Sequence, residues 1–464
     1  MRRTLSVAVL VCGAIAASAR APRAAPDDNW PQWRGPGGSG VALSSEFVDE
    51  WTPGKNIAWK APLTGRGLSS PVVWGDRLFL TTSIEGELAP GNKAPMHLGY
   101  DLKPGYVHPD SVGSDHRYTL QVFAFDARTG KRVWERTSYE GAMYDDRHRK
   151  NTYASPTVVT DGKFVYAFFE SAGLYCYDFE GNLIWKVSLG GIAKAGLGPG
   201  TSPVLYENLI ILQCDQEMGE GSFIAALERR TGREVWRAAR TTRRSWATPL
   251  LVRTPRRTEL VASAAEAVIA YDPATGNELW RANGTHSHPI PSAVAGHGLV
   301  FVTAGSQAKR AMAIKTGSDG DLTNSPAIVW KYAKGTAYVP SPILHGPYLY
   351  LMTDKGLLTC LDADGRGAVR RRPAAGASDV HRVPCGLRRS HSDHERRRRY
   401  LRRQGRPDAR NPAHQLHRGT GLCLAGPGGR HALPAGRAAS VRHSRAVSAR
   451  HALTGVIANT PAWR

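Results

Sequence analysis

One local pattern recurs along this chain: a short apolar run, an acidic turn closed by glycine, and a second run ending in tryptophan. The clearest copy is Val122-Phe123-Ala124-Phe125-Asp126-Ala127-Arg128-Thr129-Gly130-Lys131-Arg132-Val133-Trp134. Residues 126–130 read as a tight turn between two strands, with Gly130 supplying the left-handed position that a hairpin needs. Asp272, Thr275, Gly276 and Trp280 repeat it, as do Thr231, Gly232 and Trp236. Asp178 to Trp185 is a copy one residue shorter. Trp330 closes another unit, and Asp362 begins one whose Thr-Gly and Trp do not follow.

Each unit opens on a small residue and proline. Ser70-Pro71, Ser155-Pro156, Ser202-Pro203, Thr248-Pro249 and Ser341-Pro342 do so, with Pro291-Ser292 as a variant. Two apolar runs around a polar or glycine turn come next, then the hairpin and its tryptophan, giving four short strands per unit. The closing tryptophans are spaced by 51, 51, 44 and 50 residues. Four antiparallel strands per such period predict the blades of a β-propeller, in which neighbours bury the faces that one sheet cannot hide alone. Six unit starts precede residue 365. The first unit carries an insertion over residues 85–116, and the fifth is irregular over 317–324.

The repeat resembles the pyrroloquinoline-quinone-type propeller blade, with its Ala-x-Asp-x-x-Thr-Gly-x-x-x-Trp motif. Trp30-Pro31-Gln32-Trp33-Arg34-Gly35-Pro36 is similar to the start of a group of exported bacterial repeat proteins with this blade. The family, the quinoprotein alcohol dehydrogenase-like superfamily, also includes the propeller lipoprotein of the outer-membrane barrel-insertion machinery. The resemblance covers about residues 29–363. It implies an eight-blade-type ring of which about six blades are present, with the lone strand near Trp59 completing the last. It implies function more weakly, because this fold hosts several.

The two ends read differently from the middle. Arg2-Arg3, an apolar run over residues 5–17 and Ala17-Ser18-Ala19 form a secretory signal over residues 1–19, so the protein is expected to be exported to the periplasm or beyond. A linker and an aromatic strap occupy residues 20–55, and the incomplete propeller 56–365. Of the net charge of +22, residues 366–464 hold +18, from 22 Arg, no Lys and 4 acidic residues, which leaves +4 for the rest. Arg, Ala, Gly and Pro make up 56 of those 99 residues. Three readings of the tail compete: a basic disordered segment for an anionic partner, a folded basic domain, and a reading-frame shift near codon 364 in a GC-rich gene. The break inside a motif favours the third. An unclosed ring would expose two sheet faces and open edges, and predicts a poorly stable product.

The candidate chemistry is sparse. The recurrent Asp126, Asp178, Asp272 and Asp362 read as turn residues that bind local N–H groups, and the tryptophans as packing between blades. Ser70, Ser155 and Ser341 recur at strand starts without a placed histidine, so they are not nucleophiles. Cys176 and Cys360 share one slot in two units, and no CxxC or adjacent pair occurs. Asp145, Asp146, Arg147, His148 and His288 fall in loops expected on one rim, where binding on a rigid scaffold resides. A metal at Asp145, Asp146 and His148, or at Asp110, His108 and His116, competes with a solvated charged loop, which fits better. Quinone-dependent enzymes on this blade use a vicinal Cys-Cys disulfide and a calcium site of Glu, Asn and Asp, and neither is assignable here. The chain therefore reads as a non-catalytic binding or scaffolding propeller of the cell envelope, with no cofactor expected. Its expected partner is an envelope protein or polymer and not nucleic acid, with peripheral membrane association left open. The alternative is a pyrroloquinoline-quinone-dependent oxidoreductase.

Overall fold

The computed structural model describes residues 29–42, 52–91, 108–113, 115–143, 145–190, 197–217, 219–285, 288–305 and 309–365, and the backbone of a strand at Ala368–Pro373. The expected signal segment and the tail beyond residue 373 lie outside the described residues. Among the described residues there is no α-helix, and no helix long and apolar enough to cross a membrane.

Six antiparallel sheets follow one another as blades 1 to 6 of a β-propeller. Blade 1 is built from Val72–Trp74, Arg77–Leu88, His116–Asp126 and Arg132–Ala142. Blade 2 uses Val159–Thr160, Phe164–Phe168, Leu174–Asp178 and Leu183–Val187, and blade 3 Val204–Tyr206, Leu209–Cys214, Ser222–Glu228 and Glu234–Arg240. Blade 4 comprises Leu250–Arg253, Thr258–Ser263, Ala267–Tyr271 and Glu278–Asn283. Blade 5 comprises Val294–Gly296, Leu299–Ala304, Arg310–Lys315 and Ile328–Tyr332, and blade 6 Ile343–His345, Tyr348–Met352, Leu357–Asp362 and Ala368–Pro373. In blade 1 the lengthened second and third strands absorb part of the insertion. The irregular stretch of blade 5 has a cause: Gly320–Asp321 adds to blade 4 as a fifth, parallel strand beside Trp280 and Arg281.

The core is a series of apolar layers between successive blades. Phe79, Val122 and Trp134 of blade 1 meet Val165 and Tyr177 of blade 2. Tyr166 and Cys176 meet Ile210 and Leu227, and Ile211 and Ala226 meet Leu260 and Ile269. Val268 and Trp280 meet Val300 and Met312, and Phe301 and Ala313 meet Leu349 and Leu361. The far face of blade 1, with Leu78, Phe123 and Phe125, is covered by Trp30, Trp59, Ala61 and Leu63.

Each closing tryptophan latches onto the next blade. The indole N–H of Trp134 donates to Phe179 O at 2.8 Å, Trp185 to Arg229 O at 3.1 Å, Trp236 to Pro273 O at 3.2 Å and Trp330 to Ala363 O at 3.0 Å. Trp59 makes the same bond to Ala127 O of blade 1 at 3.1 Å, so it stands where the closing tryptophan of a preceding blade would. Each ring lies on the turn glycine of that blade: a Cβ on Gly130, Gly181, Gly232, Gly276 or Gly365 would sit 2.3–2.8 Å from it. Trp280 is the exception. Its neighbour's turn is displaced by the 317–324 insertion, and its N–H donates to the buried Glu259 carboxylate at 3.1 Å.

The residue before each closing position is a β-bulge, because the register skips it. Val133, Ile184, Val235, Leu279 and Val329 are bypassed in blades 1 to 5, and Val369 in blade 6. A bulge adds local twist and re-aims the following side chain, which turns the tryptophan toward the next blade. It also breaks the flat outer edge that would otherwise pair with another chain.

Two sequence expectations need correction here. The turn of blade 6 is present after all: Asp362-Ala363-Asp364-Gly365 is the short form seen at residues 178–181, and Gly365 N–H donates to Asp362 O at 3.0 Å. The strand at Ala368–Pro373 extends the propeller past the expected boundary at 365, with Arg370 paired to Cys360 in the register that tryptophan occupies elsewhere. In blade 2 the opening is Thr157, not Ser155-Pro156. Thr157 Oγ1 accepts from Ser70 N at 2.9 Å, and Thr157 N donates to Ser202 Oγ at 3.0 Å. Ser202 N donates to Thr248 Oγ1 and Ser292 N to Ser341 Oγ, each at 3.0 Å. The small hydroxyls at the strand openings therefore stitch successive blades together around the axis.

The aromatic strap, residues 29–42, crosses the inner strands. Trp30 pairs with Val73, Pro31 O accepts from Thr160 N, Trp33 Nε1 donates to Ser292 Oγ at 3.0 Å, and Arg34 Nη2 donates to Pro342 O at 2.6 Å. It thus touches blades 1, 2, 5 and 6 directly.

Candidate functional site

In a four-stranded meander, the crossovers between blades and the central hairpin of each blade share one face. On that face five loops of blades 1 to 4 converge around Arg244, whose side chain is 3% exposed. Arg244 Nη2 donates to Glu170 Oε1 and Oε2, both at 2.9 Å, and to Gly198 O at 2.7 Å. Its guanidinium lies 5.3 Å from the Trp246 ring centroid, a cation–π contact in a desolvated setting. Trp246 is pinned in turn: its indole donates to Gly198 O at 3.0 Å, its ring stacks on His288 at 5.7 Å, and a Cβ on Gly200 would strike it.

Charge is concentrated here. Asp145, Asp146, Glu170 and Glu217 are all buried. Burial raises the Asp146 carboxyl above its usual range, against the lowering effect of the Leu197 amide, which donates to it. Burial also raises Glu217, from 4.5 to about 7, with Arg244 opposing and Asp146 adding to the shift. Glu170, Leu197, Glu266 and His288 hold left-handed backbone on this same face, with φ of 46°, 57°, 72° and 61°. Non-glycine residues there cost about 1–3 kcal/mol each and persist where surrounding contacts hold them.

Burial of Glu217 sets an expected pH dependence. Its folded-state pKa lies above the unfolded value, so its ionisation opposes folding. The penalty is absent below about pH 4.5, grows as pH rises toward 7, and is fully present above it. The implied size is about 3 kcal/mol. Glu217→Gln should therefore be more stable than the parent at pH 8 and match it at pH 4.5 in denaturant melts. Equal stability at both pH values would contradict this.

The sequence-predicted rim residues divide between two places. Asp145, Asp146 and His288 join the Arg244 cluster. Arg147 and His148 do not: they pair with Ser111–Val112 of the insertion as a two-stranded ribbon. Arg147 donates to Glu85 at 2.9 Å and lies over Tyr118 and Tyr153, while His148 pairs with Asp110 at 3.2 Å. His116 pairs with Asp115 at 2.8 Å, apart from Asp110. The suggested set of Asp145, Asp146 and His148 is thus not assembled, and among the described residues no three His, Cys, Asp or Glu side chains group as metal ligands. The blade residues behave as turn and packing groups. Asp126 Oδ1 accepts from Arg128 N and Thr129 N, Asp178 Oδ1 from Glu180 N and Asn182 N, and Asp272 Oδ1 from Ala274 N. Cys176, Cys214 and Cys360 lie on strands within their sheets.

The family described as outer membrane protein assembly factor BamB matches residues 120–370, more than half of the chain. The chain belongs to this family. BamB from Moraxella catarrhalis is a similar solved structure, 16% identical, covering 57% of this chain and 75% of that one with a TM-score of 0.41. Quinohemoprotein alcohol dehydrogenase from Comamonas testosteroni is another, 11% identical, covering 75% of this chain and 73% of that one with a TM-score of 0.39. No curated protein matches the chain.

The cofactor implied by the quinoprotein branch of the superfamily does not fit these residues. The acidic cluster is offset by the Arg244 guanidinium and not arranged as a calcium cage. The chain has no adjacent cysteines to lie over a quinone.

Proposed function

We propose that the protein is an exported, non-catalytic scaffold of the cell envelope that holds a protein partner in outer-membrane protein assembly. The family match over residues 120–370 carries this reading. The crossover face supports it: loops held on a rigid propeller are where partners are usually gripped. A photo-crosslinking residue at exposed Glu266, on the crossover face, should capture an outer-membrane assembly protein in cells. The same residue at exposed Lys163, on the opposite face, should not. Equal capture at both, or at neither, would overturn the docking face. Adding pyrroloquinoline quinone and calcium to the purified chain tests the rival directly, since a bound-quinone absorbance with dye reduction would overturn the non-catalytic reading.

For the tail we keep the reading-frame shift as the proposal, supported by Arg370 in the tryptophan register of blade 6. Translating the other frames after codon 364 should restore a Ser-Pro opening, hairpin and tryptophan. A gene in which no frame does so would end it.

A further inference from the structure

The outer edges of the blades are not guarded alike. On three of them the residue after the closing tryptophan pairs with the first residue of the outer strand, three positions back. Glu135 pairs with Arg132 in blade 1, Arg237 with Glu234 in blade 3 and Arg281 with Glu278 in blade 4, at 2.5–2.6 Å. Charged side chains along an edge strand discourage pairing with another chain.

Blade 2 departs from this pattern. The same two positions hold Lys186 and Leu183. Lys186 is exposed and makes no ion pair among the described residues. Leu183 and Ile184 are 49% and 45% exposed, and no other outer strand of blades 1 to 5 presents two adjacent exposed aliphatic side chains. Blade 5 has Ile328 and Lys331 at these positions, but Ile328 is half-buried against the layer shared with blade 4. The outer strand of blade 2 ends its sheet, with no strand beside it among the described residues.

Blade 4 shows what such an edge takes. Gly320–Asp321 runs parallel to its outer strand, with Gly320 beside Trp280 and Asp321 beside Arg281. Leu322 N–H donates to Arg281 O at 2.7 Å, so that carbonyl points outward from the sheet. The bulge at Leu279 does not hinder the pairing, which lies just beyond it. Trp185 and Lys186 of blade 2 stand in the same register, directly after their own bulge at Ile184. Because the added strand is parallel, the residue before its glycine lies toward the bulge. On blade 4 that residue is Asp319, which Arg256 and Arg257 hold at 2.7 and 2.6 Å. On blade 2 the corresponding place adjoins exposed Ile184 and Leu183, which an aliphatic side chain would cover.

We propose that the outer edge of blade 2 pairs, in parallel, with an extended segment of a partner protein in which a large aliphatic residue, a small residue and an acid follow one another. The acid meets Lys186, the small residue lies beside Trp185, and the aliphatic residue covers Ile184 and Leu183. Main-chain bonds supply the pairing, and these three side chains the selectivity. The edge is separate from the crossover face and is filled independently of it.

Fluorescence anisotropy of a labelled peptide with the full chain at low ionic strength tests this. The probe is the chain's own segment 317–324 carrying Asp319→Leu, and it should bind with a Kd below about 1 mM. The same peptide with the further change Asp321→Lys should bind at least threefold more weakly, and Lys186→Glu in the protein should reverse the order of the two peptides. Leu183→Glu, which gives blade 2 the acid–base pair of blades 3 and 4, should weaken the probe at least threefold. Both protein variants are at exposed positions and should leave the melting temperature unchanged. A Kd above about 1 mM for the probe would overturn the docking edge. So would equal affinity of the two peptides for the parent protein, or an order that survives Lys186→Glu.

Discussion

Arg240→Met is expected to destabilise the propeller by about 3–5 kcal/mol, because it strands a buried carboxylate. Arg240 and Asp215 both have 0% side-chain exposure, and Arg240 Nε donates to Asp215 Oδ1 at 2.7 Å. The pair joins two blades. Arg240 Nη1 donates to the Tyr271 hydroxyl of blade 4 at 2.9 Å. Gln213 Nε2 bridges Asp215 Oδ2 at 2.7 Å and Ser263 O of blade 4 at 3.2 Å. Removing the cation leaves the buried Asp215 carboxylate with Gln213 Nε2 as its side-chain donor among the described residues and the charge of Arg244 as its remaining electrostatic support. The double variant Arg240→Met/Asp215→Leu should recover much of the loss, since neither charge is then buried alone. Denaturant midpoints of the three proteins measure this. A single variant within about 1 kcal/mol of the parent would show that the pair does not join the blades as described.

Gly276→Ala should cost about 3 kcal/mol, and Gly298→Ala about 1. The two glycines share nearly the same backbone, with φ of 78° and 73°. They differ in what a methyl group would meet. At Gly276 it would lie 2.5 Å from Trp236 Cε3 of the preceding blade, and at Gly298 nothing lies within 4 Å. Strain of the left-handed backbone is common to both, so the difference isolates the tryptophan latch. Trp236→Phe in the Gly276→Ala background should relieve part of the clash, because the smaller ring can withdraw. Equal losses at the two glycines would mean that the latch contributes little and that the turn glycines serve backbone conformation alone.

The blade was legible because its signals are local. Asp126, Gly130 and Trp134 lie within one hairpin, and their spacing fixes a turn whatever surrounds it. The repetition of that hairpin then required stacking, since one sheet cannot bury two faces. The bulge at Val133, Ile184 and Val235 was not legible, because it is a property of cross-strand register. The opening of blade 2 was misplaced for a related reason. Ser155-Pro156 carries the local signal, but the hydroxyl that reaches the neighbouring blade belongs to Thr157. The blade 6 turn was missed because Asp364 stands in place of threonine, although Gly365 keeps the backbone and the Trp330 contact. Asp145 and Asp146 drew notice as adjacent charges. Arg244, Glu170 and Glu217 did not, because they come from separate loops and share no sequence pattern. His148 was grouped with Asp145 by proximity in the chain, whereas the ribbon with Ser111–Val112 carries it elsewhere.

The central structural claim is that the sheets stand in chain order around an axis, with blades 1 to 4, and blades 5 and 6, joined in turn at their opening hydroxyls. Amide hydrogen exchange of Ser202→Ala tests it most directly. Ser202 Oγ of blade 3 accepts from the Thr157 amide of blade 2. Its removal should speed exchange at Thr157 by about tenfold, while Ala270, in the middle of blade 4, keeps its protection. Unchanged exchange at Thr157 would contradict the ring, because the two blades would then not meet there.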